Sequence, residues 1–389
     1  MYFLLLLSWL LSIDALALPA HPFVDGPPHG VSARADEVAD AHVSERPTFT
    51  VASTNRRDSG SRDLADLARS AARILAKRQQ GPGYWLTAYT AEARFENPRQ
   101  EMNTFTNAVM VDIAAPVADD AGLTGLLGRA RAFLGNQIEA DGLVRYHGRP
   151  DAPTIGRLGC VITPDADDTA LVWRIAPDAK HGLLSRALAK LDEFRAADGL
   201  YRTWLAPRDR YKCIDPGKDP NPTDIGIQMH VLMLLAQADP PAAAALCRAL
   251  SKETPDDDVW VYYKMAPLIP MLRLADLHRA GCPLRLQQSR LQSAVPGQAA
   301  WLEVVRLLGR IERAQATSAE YSRAADLLQR LAANEFASIR STPPLLYHND
   351  FTAHVRRFYW SEDVGYALWL RLYFESRRSL PGPHASAPT

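Results

Sequence analysis

The chain has 389 residues, enough for one large domain or two ordinary ones, and 47% of them are hydrophobic, which allows a sizeable core. Lysine plus arginine and aspartate plus glutamate both total 44, so the formal net charge is zero. That balance gives no support for a nucleic-acid partner or for a strongly anionic membrane surface.

An apolar run, Met1 to Ile13, precedes Asp14-Ala15-Leu16-Ala17. A run of this length ending in a small-x-small triplet predicts a secretory signal peptide over residues 1–17, although no Lys or Arg precedes it. The run is short for a membrane span. A secreted or periplasmic location is expected, and the apolar start leaves association with a membrane surface open. Residues 18–60 are rich in Pro, Gly, Ser and charge and lack apolar periodicity, which predicts a disordered linker. The folded domain is expected over 61–378, with a disordered tail at 379–389.

From Asp63 the pattern is helical. Leu64, Leu67, Ala71, Ile74 and Leu75 share one face of an amphipathic helix. Similar polar-faced helices follow, each ending in a Gly turn and then an aromatic residue. Gly83, Gly142 and Gly199 are 59 and 57 residues apart, and Gly suits the left-handed turn that ends a helix. Between them lie helices apolar nearly all round, which marks them as buried. Their starts read Asn103-Thr-Phe-Thr106, Ala166-Asp-Asp168, Pro222-Thr-Asp224 and Ser361-Glu-Asp363. In that register Asp168, Asp224 and Asp363 are equivalent. Buried helices alternating with polar-faced ones imply a closed ring of hairpins. Strand signals are scarce, so the expected fold is all-α: an α/α toroid of about five to six hairpins. Asp256 to Tyr263 is expected to start one more buried helix. Leu302–Glu312 and Ala319–Phe336 read as outer helices.

The richest stretch is Pro164-Asp165-Ala166-Asp167-Asp168-Thr169-Ala170. One Asp at the start of a buried helix is explained as an N-cap, expected at Asp167 or Asp168. Three are not. Like charges this close repel, so at least one carboxyl should keep its proton toward neutral pH, as general acid catalysis requires. His230 sits in an apolar stretch and reads first as a core histidine. His348, Asp350, Arg356, Arg357, Tyr359 and Trp360 form a polar and aromatic segment expected at the rim of a site. The two arginines would suit an anionic group.

This Asp-x-Asp-Asp-Thr-Ala start, within helices joined by turns such as Gln137…Asp141-Gly142…Tyr146 and Asp198-Gly199…Trp204, resembles the class II terpene cyclases, squalene-hopene cyclase-like members of the terpenoid-cyclase/protein-prenyltransferase toroid superfamily. The likeness spans about residues 63–376. It implies that Asp167 protonates an alkene while Asp165 and Asp168 tune it. Aromatic faces attract cations, so Trp173, Trp204, Trp260, Tyr262, Tyr263, Tyr359 and Trp360 become candidate cavity walls, with His348 and Arg356 at the rim. No metal or cofactor is expected. The glutamine–tryptophan repeats are degenerate and the chain is short for a two-barrel cyclase.

Secreted carbohydrate-active enzymes use the same kind of toroid. Inversion at a sugar needs two carboxylates about 6.5–9.5 Å apart, and Asp168, Asp224 and Asp363 are expected to converge on one mouth, joined by Glu362 or Asp350. A non-catalytic toroid that binds a peptide or glycan is a third reading. Dry aromatic walls around Asp167 would favour cyclisation, and carboxylates on both sides of a groove would favour sugar chemistry. The expected ligand is a small hydrophobic molecule or a saccharide. Cys160, Cys213, Cys247 and Cys282 permit two disulfides in an exported chain, with three pairings open. Cys160 with Cys213 is the expected pair, since both lie in loops beside the acidic stretch. Oligomeric state is not legible.

Overall fold

A computed structural model describes residues 63–151, 161–180, 182–214, 221–253, 257–352 and 355–379, without the side chains of residues 350–356. The expected signal peptide, the linker and the tail beyond Ser379 lie outside the described residues. Ser379 itself ends the last helix. The described residues form one compact unit by their contacts.

Eleven α-helices appear among the described residues. They are α1 (Leu64–Arg78), α2 (Thr104–Ala114), α3 (Thr124–Asn136), α4 (Ala166–Ile175), α5 (Leu184–Glu193), α6 (Ile225–Ala238), α7 (Pro240–Glu253), α8 (Leu268–Arg279), α9 (Ala299–Glu312), α10 (Ser318–Ser341) and α11 (Glu362–Ser379). Helices α2, α4, α6, α8, α9 and α11 each pack on the next, and α11 returns to α2. The ring is closed. Helix α6 shows why it belongs inside: every residue from Ile225 to Leu235 is buried. Outside, α1 covers α11, α3 bridges α2 and α4, α5 lies on α4, α7 on α6, and α10 on α9 and α11. The α/α toroid expected from the sequence is present.

The repeat has a visible physical basis. Gly83 and Gly142 have φ of +111° and +88°, and a Cβ there would stand 2.7 Å from Arg129 O and 2.6 Å from Leu183 O. Only glycine lets the turn lie so close to the next outer helix. The residue after each turn is then held by a polar side chain one helical turn inside an inner helix. Asn107 exchanges two hydrogen bonds with the Trp85 backbone, at 2.7 and 3.0 Å. Gln228 does the same with Tyr201, both at 2.7 Å. Thr169 Oγ1 accepts from Val144 N at 3.0 Å.

Four expectations change. The fold is not wholly helical: β1 (Thr87–Thr90), β2 (Arg99–Glu101), β3 (Leu345–Thr352) and β4 (Val355–Trp360) form an antiparallel sheet in the order β2-β1-β4-β3. The segment read as a rim loop is thus a hairpin, whose alternating side chains divide between two faces. Asp256 lies outside the described residues, and the expected buried helix does not follow it: Asp257–Val259 is one short turn, and α8 starts only at Leu268. Finally, α9 belongs to the ring rather than the outer layer, with no exposed residue from Trp301 to Glu312. The second stretch read as outer, α10, does lie outside, broken at Ala333–Phe336.

Cys247 on α7 is bonded to Cys282, just beyond α8. Cys213 is also disulfide-bonded, but the expected partner Cys160 lies outside the described residues. Among those residues, no helix is long and apolar enough to cross a membrane.

Candidate active site

The register at the helix mouths decides which carboxyls meet. The N-cap of α4 is Asp165, not Asp167 or Asp168: its Oδ1 accepts from Asp168 N at 2.8 Å. Asp224 caps α6 in the same way, accepting from Gly226 N at 2.9 Å. At α11 the cap is Ser361, whose Oγ accepts from Val364 N at 3.1 Å. Asp224 is therefore the counterpart of Asp165, and Asp363 has no counterpart among the caps. With Asp165 as cap, Asp167 and Asp168 fall in the first turn of α4.

Among the described residues, one cavity collects the mouth of the ring. It holds about 610 Å³ of empty space, open solvent at its edge included. Asp165, Asp167 and Asp168 lie on one side of it. Phe105, Ile162, Trp204, Ile227, Tyr262 and Tyr263 form apolar wall, and Tyr146, His147, Thr203, Tyr347, Asn349 and Tyr359 complete the lining. Of the expected site residues, the three acids, Trp204, Tyr262, Tyr263 and Tyr359 come together here.

The other described ones do not line it. Asp224 is fully buried and its second oxygen accepts from Val261 N and Tyr262 N, both at 2.9 Å. It thereby shapes the loop that presents Tyr262 and Tyr263. Asp363 pairs with Arg78 at 2.6 Å, and Glu362 pairs with the same guanidinium at 3.1 Å. Trp173 donates to Gly142 O at 2.7 Å and Trp360 to Thr90 Oγ1 at 2.9 Å, both inside the core. Trp260 lies under Arg290, 5.7 Å from its ring centroid. His348 stacks on Phe358 at 4.4 Å on the other face of β3. The side chains of Asp350 and Arg356 lie outside the described residues.

The acids are not alike. Asp167 remains partly exposed, and its Oδ1 meets His230 Nδ1 at 2.5 Å. His230 is fully buried, and its Nε2 accepts from Arg273 Nε at 2.8 Å. An arginine only donates. Nε2 therefore carries the lone pair, and Nδ1–H points at Asp167. Burial, then the Arg273 charge, holds the imidazole well below its usual pKa, so it stays neutral. Burial pushes Asp167 up to about 7, with the Arg273 charge pulling the other way. Asp168 rises to about 6 through burial, opposed by hydrogen bonds from Asp165 and Thr104. Asp165 lies well above the ordinary range through burial and then the charge of Asp168.

Behind this pair lies a buried charge network. Arg273 also binds Asp112 of α2 and Asp276 of α8, and Asp112 binds Arg174 of α4. Arg371 of α11 and Arg279 of α8 share Glu312 of α9, at 2.5 and 2.9 Å. Five of the six ring helices thus exchange charges beneath the cavity. Sequence reasoning missed Arg273, whose signal was an Arg–Asp pair three residues apart inside the apolar run from Leu268 to Leu277. It also left Phe105, Tyr146, Tyr347 and Glu101 unweighed. Glu101 ends β2 fully buried, accepting from Tyr146 Oη at 2.7 Å and pairing with Arg357 at 2.9 Å. Among the described residues, no group of three or more His, Cys, Asp or Glu is arranged to hold a metal ion.

Two expected outcomes follow from this packing. A Cβ on Gly226 would overlap Tyr263, 2.1 Å from Cε2. Gly226→Ala should therefore force that ring into the cavity and cost about 1–3 kcal/mol in a thermal melt. The second concerns pH. Asp224 rises to about 7 and Asp363 to about 6, burial being the first cause for each, alongside Asp165, Asp167 and Asp168. All five hold protons in the folded state that the unfolded chain releases near the ordinary carboxyl pKa. Their contribution to stability is present below that value and is lost as pH rises through 6 to 7. The buried neutral His230 acts the other way below its ordinary pKa, but one group against five leaves the melting temperature higher at about pH 5 than at about pH 8 by several degrees. An unchanged value across that range would mean that these carboxyls are ionised in the fold.

No protein-family model and no curated protein matches the chain. Solved structures do. Apo type II terpene cyclase MstE from Scytonema superposes with a TM-score of 0.53 at 14% identity, over 82% of this chain and 99% of that one. A point variant of MstE from Scytonema, in complex with its substrate geranylgeranyl dihydroxybenzoate, gives 0.52 at 12% identity, over 82% and 98%. An unsaturated glucuronyl hydrolase specific for heparin gives 0.48 at 11% identity, over 81% and 97%. At these identities the likeness shows the fold, and the chain is an α/α toroid like that of type II terpene cyclase MstE.

Proposed function

We propose that the protein is a class II terpene cyclase-like enzyme that protonates an isoprenoid alkene with Asp167. The observation that carries this reading is the Asp167–His230–Arg273 chain at the edge of an aromatic cavity. Carbon is a poor base, so the acid must be protonated at working pH and still strong when it reacts. Burial keeps the proton on Asp167 near neutrality. The Nδ1–H of His230 stabilises the carboxylate left behind, and a hydrogen bond to an ion is roughly twice as strong as a neutral one. The N-terminus of α4 favours the same negative charge. Arg273 orients the imidazole and keeps it from ionising. Asp165 and Asp168 sit beside the acid, and Asp168 is fixed by Thr104.

The resulting carbocation needs walls that do not react with it. Phe105, Trp204, Tyr262 and Tyr263 offer π faces, each worth roughly 0.5–2 kcal/mol to a cation. Carboxyls on both sides of a groove would have favoured glycoside chemistry; here the three lining acids all come from one helix mouth. A small hydrophobic substrate is the ligand this cavity suits, and the apolar N-terminal run supports an exported enzyme.

The test is incubation of the full chain with squalene, geranylgeranyl diphosphate, geranylgeranyl dihydroxybenzoate and a polysaccharide panel, read by mass spectrometry. A cyclised isomer of unchanged mass is expected. Its rate should fall about tenfold per pH unit above about 7, as Asp167 loses its proton. Saccharide cleavage with no isoprenoid conversion would sink the reading.

A further inference from the structure

The cavity has a second chemical pole. From Asp167 and His230 the wall passes Phe105, whose ring lies 6.0 Å from His230 and 5.1 Å from Tyr347. Tyr347 stacks on Tyr359 at 4.3 Å, and its hydroxyl donates to the hydroxyl of Tyr146. Tyr146 donates in turn to Glu101 at 2.7 Å, and Arg357 holds the other carboxylate oxygen at 2.9 Å. Each donor in this chain is directed toward Glu101, which does not itself line the cavity. A phenol that donates its proton outward keeps oxygen lone pairs to accept one. Nothing in the acid chemistry of Asp167 uses these groups, yet a fully buried carboxylate is costly unless it is paired.

We propose that Tyr347, Tyr146 and Glu101 form the proton sink that ends the reaction. The inference rests on the cyclase reading and names the step that decides its product. A proton on the carbon next to the final cationic centre passes to Tyr347 Oη. The electron pair of that C–H bond becomes the new alkene bond. Tyr347 passes its own proton to Tyr146, and Tyr146 passes its proton to Glu101, which becomes a neutral carboxylic acid. One cation and one carboxylate become one alkene and one acid. With the proton given by Asp167, the substrate is isomerised, and both acids reset by exchange with water. Tyr347 is the catalytic group here; Tyr146 and Glu101 act through it.

The experiment compares wild type, Tyr347→Phe, Glu101→Gln and the double variant on whichever probe of the isoprenoid panel wild type converts. Phenylalanine keeps the stacking on Tyr359 and Phe105, so a change reports the hydroxyl. The readout is the ratio of products among the substrate molecules that each variant consumes, set beside its thermal melt. The products should shift, with roughly half or more diverted to water-trapped alcohols or to alkenes quenched earlier. Glu101→Gln should give the same shift, and the double variant no further one, as expected for groups in one relay. An unchanged product spectrum overturns the sink while leaving the cyclase reading intact. Loss of consumption in both well-folded single variants also overturns it, since these groups would then act before any cation exists. A wild type that converts no isoprenoid removes both readings together.

Discussion

Asp167→Asn is expected to lower turnover of a converted isoprenoid by about 10³-fold or more, with no loss of thermal stability. The amide has no proton acidic enough to give to carbon. Its oxygen still accepts from the Nδ1–H of His230, so the contact at 2.5 Å in the wild type is kept in kind. Burial is what pushes Asp167 up to about 7. Removing an ionisable group from such a site relieves a cost above that pH, so the variant should melt at or above the wild-type temperature near pH 8. Kinetics and melting together separate the acid role from a structural one. Retained activity would exclude Asp167 as the proton donor, and lost activity with a lowered melt would point to damage instead.

Arg273→Met is expected to cost about 3–5 kcal/mol, a fall of roughly 4–7 °C in melting temperature. Arg273 is fully buried and holds three partners: His230, Asp112 and Asp276. Its charge keeps Asp112 well below the usual carboxylate range, against a burial that raises it. Methionine fills the space but leaves both acids short of a partner. The cost is that of two buried acids left with one cation each, Arg174 for Asp112 and Arg279 for Asp276. Adding Asp112→Asn should return part of the loss, because the two sites are coupled. A single variant that melts within about a degree of wild type would mean that water or Arg174 takes over the pairing. Activity should fall as well, since the tautomer of His230 is no longer set.

The ring was legible because its signal is long and repeated. Apolar inner helices and glycine turns near a 58-residue period report packing that every hairpin must satisfy. The acidic mouth was legible because three carboxyls exceed what a cap needs. The order of the caps was not. Aligning Asp168, Asp224 and Asp363 by their spacing to the apolar run hid that Asp165, Asp224 and Ser361 are the capping residues. One helical turn of error separates a lining acid from a loop anchor. The strands escaped because they are short, and β1 finds β4 some 270 residues away, a pairing that no local pattern announces. The value of His230 depended on Arg273, two inner helices that sequence proximity does not connect. Glu101 looked like any charged loop residue until Tyr146 and Arg357 closed over it.

Closure of the ring also orders events in time. Helix α2 forms early in the chain, yet one of its ring neighbours is α11, and β1 gains its second partner only from β4. During synthesis the apolar flank of α2 must wait while about 250 residues follow it out of the ribosome, and Arg78 waits with it for Asp363. Stepwise folding of one hairpin at a time therefore leaves a sticky open arc until the last helix arrives. Contacts so distant in sequence are slow to form and prone to association while they wait. A chain interrupted before α11 should accumulate as aggregate rather than as a smaller domain.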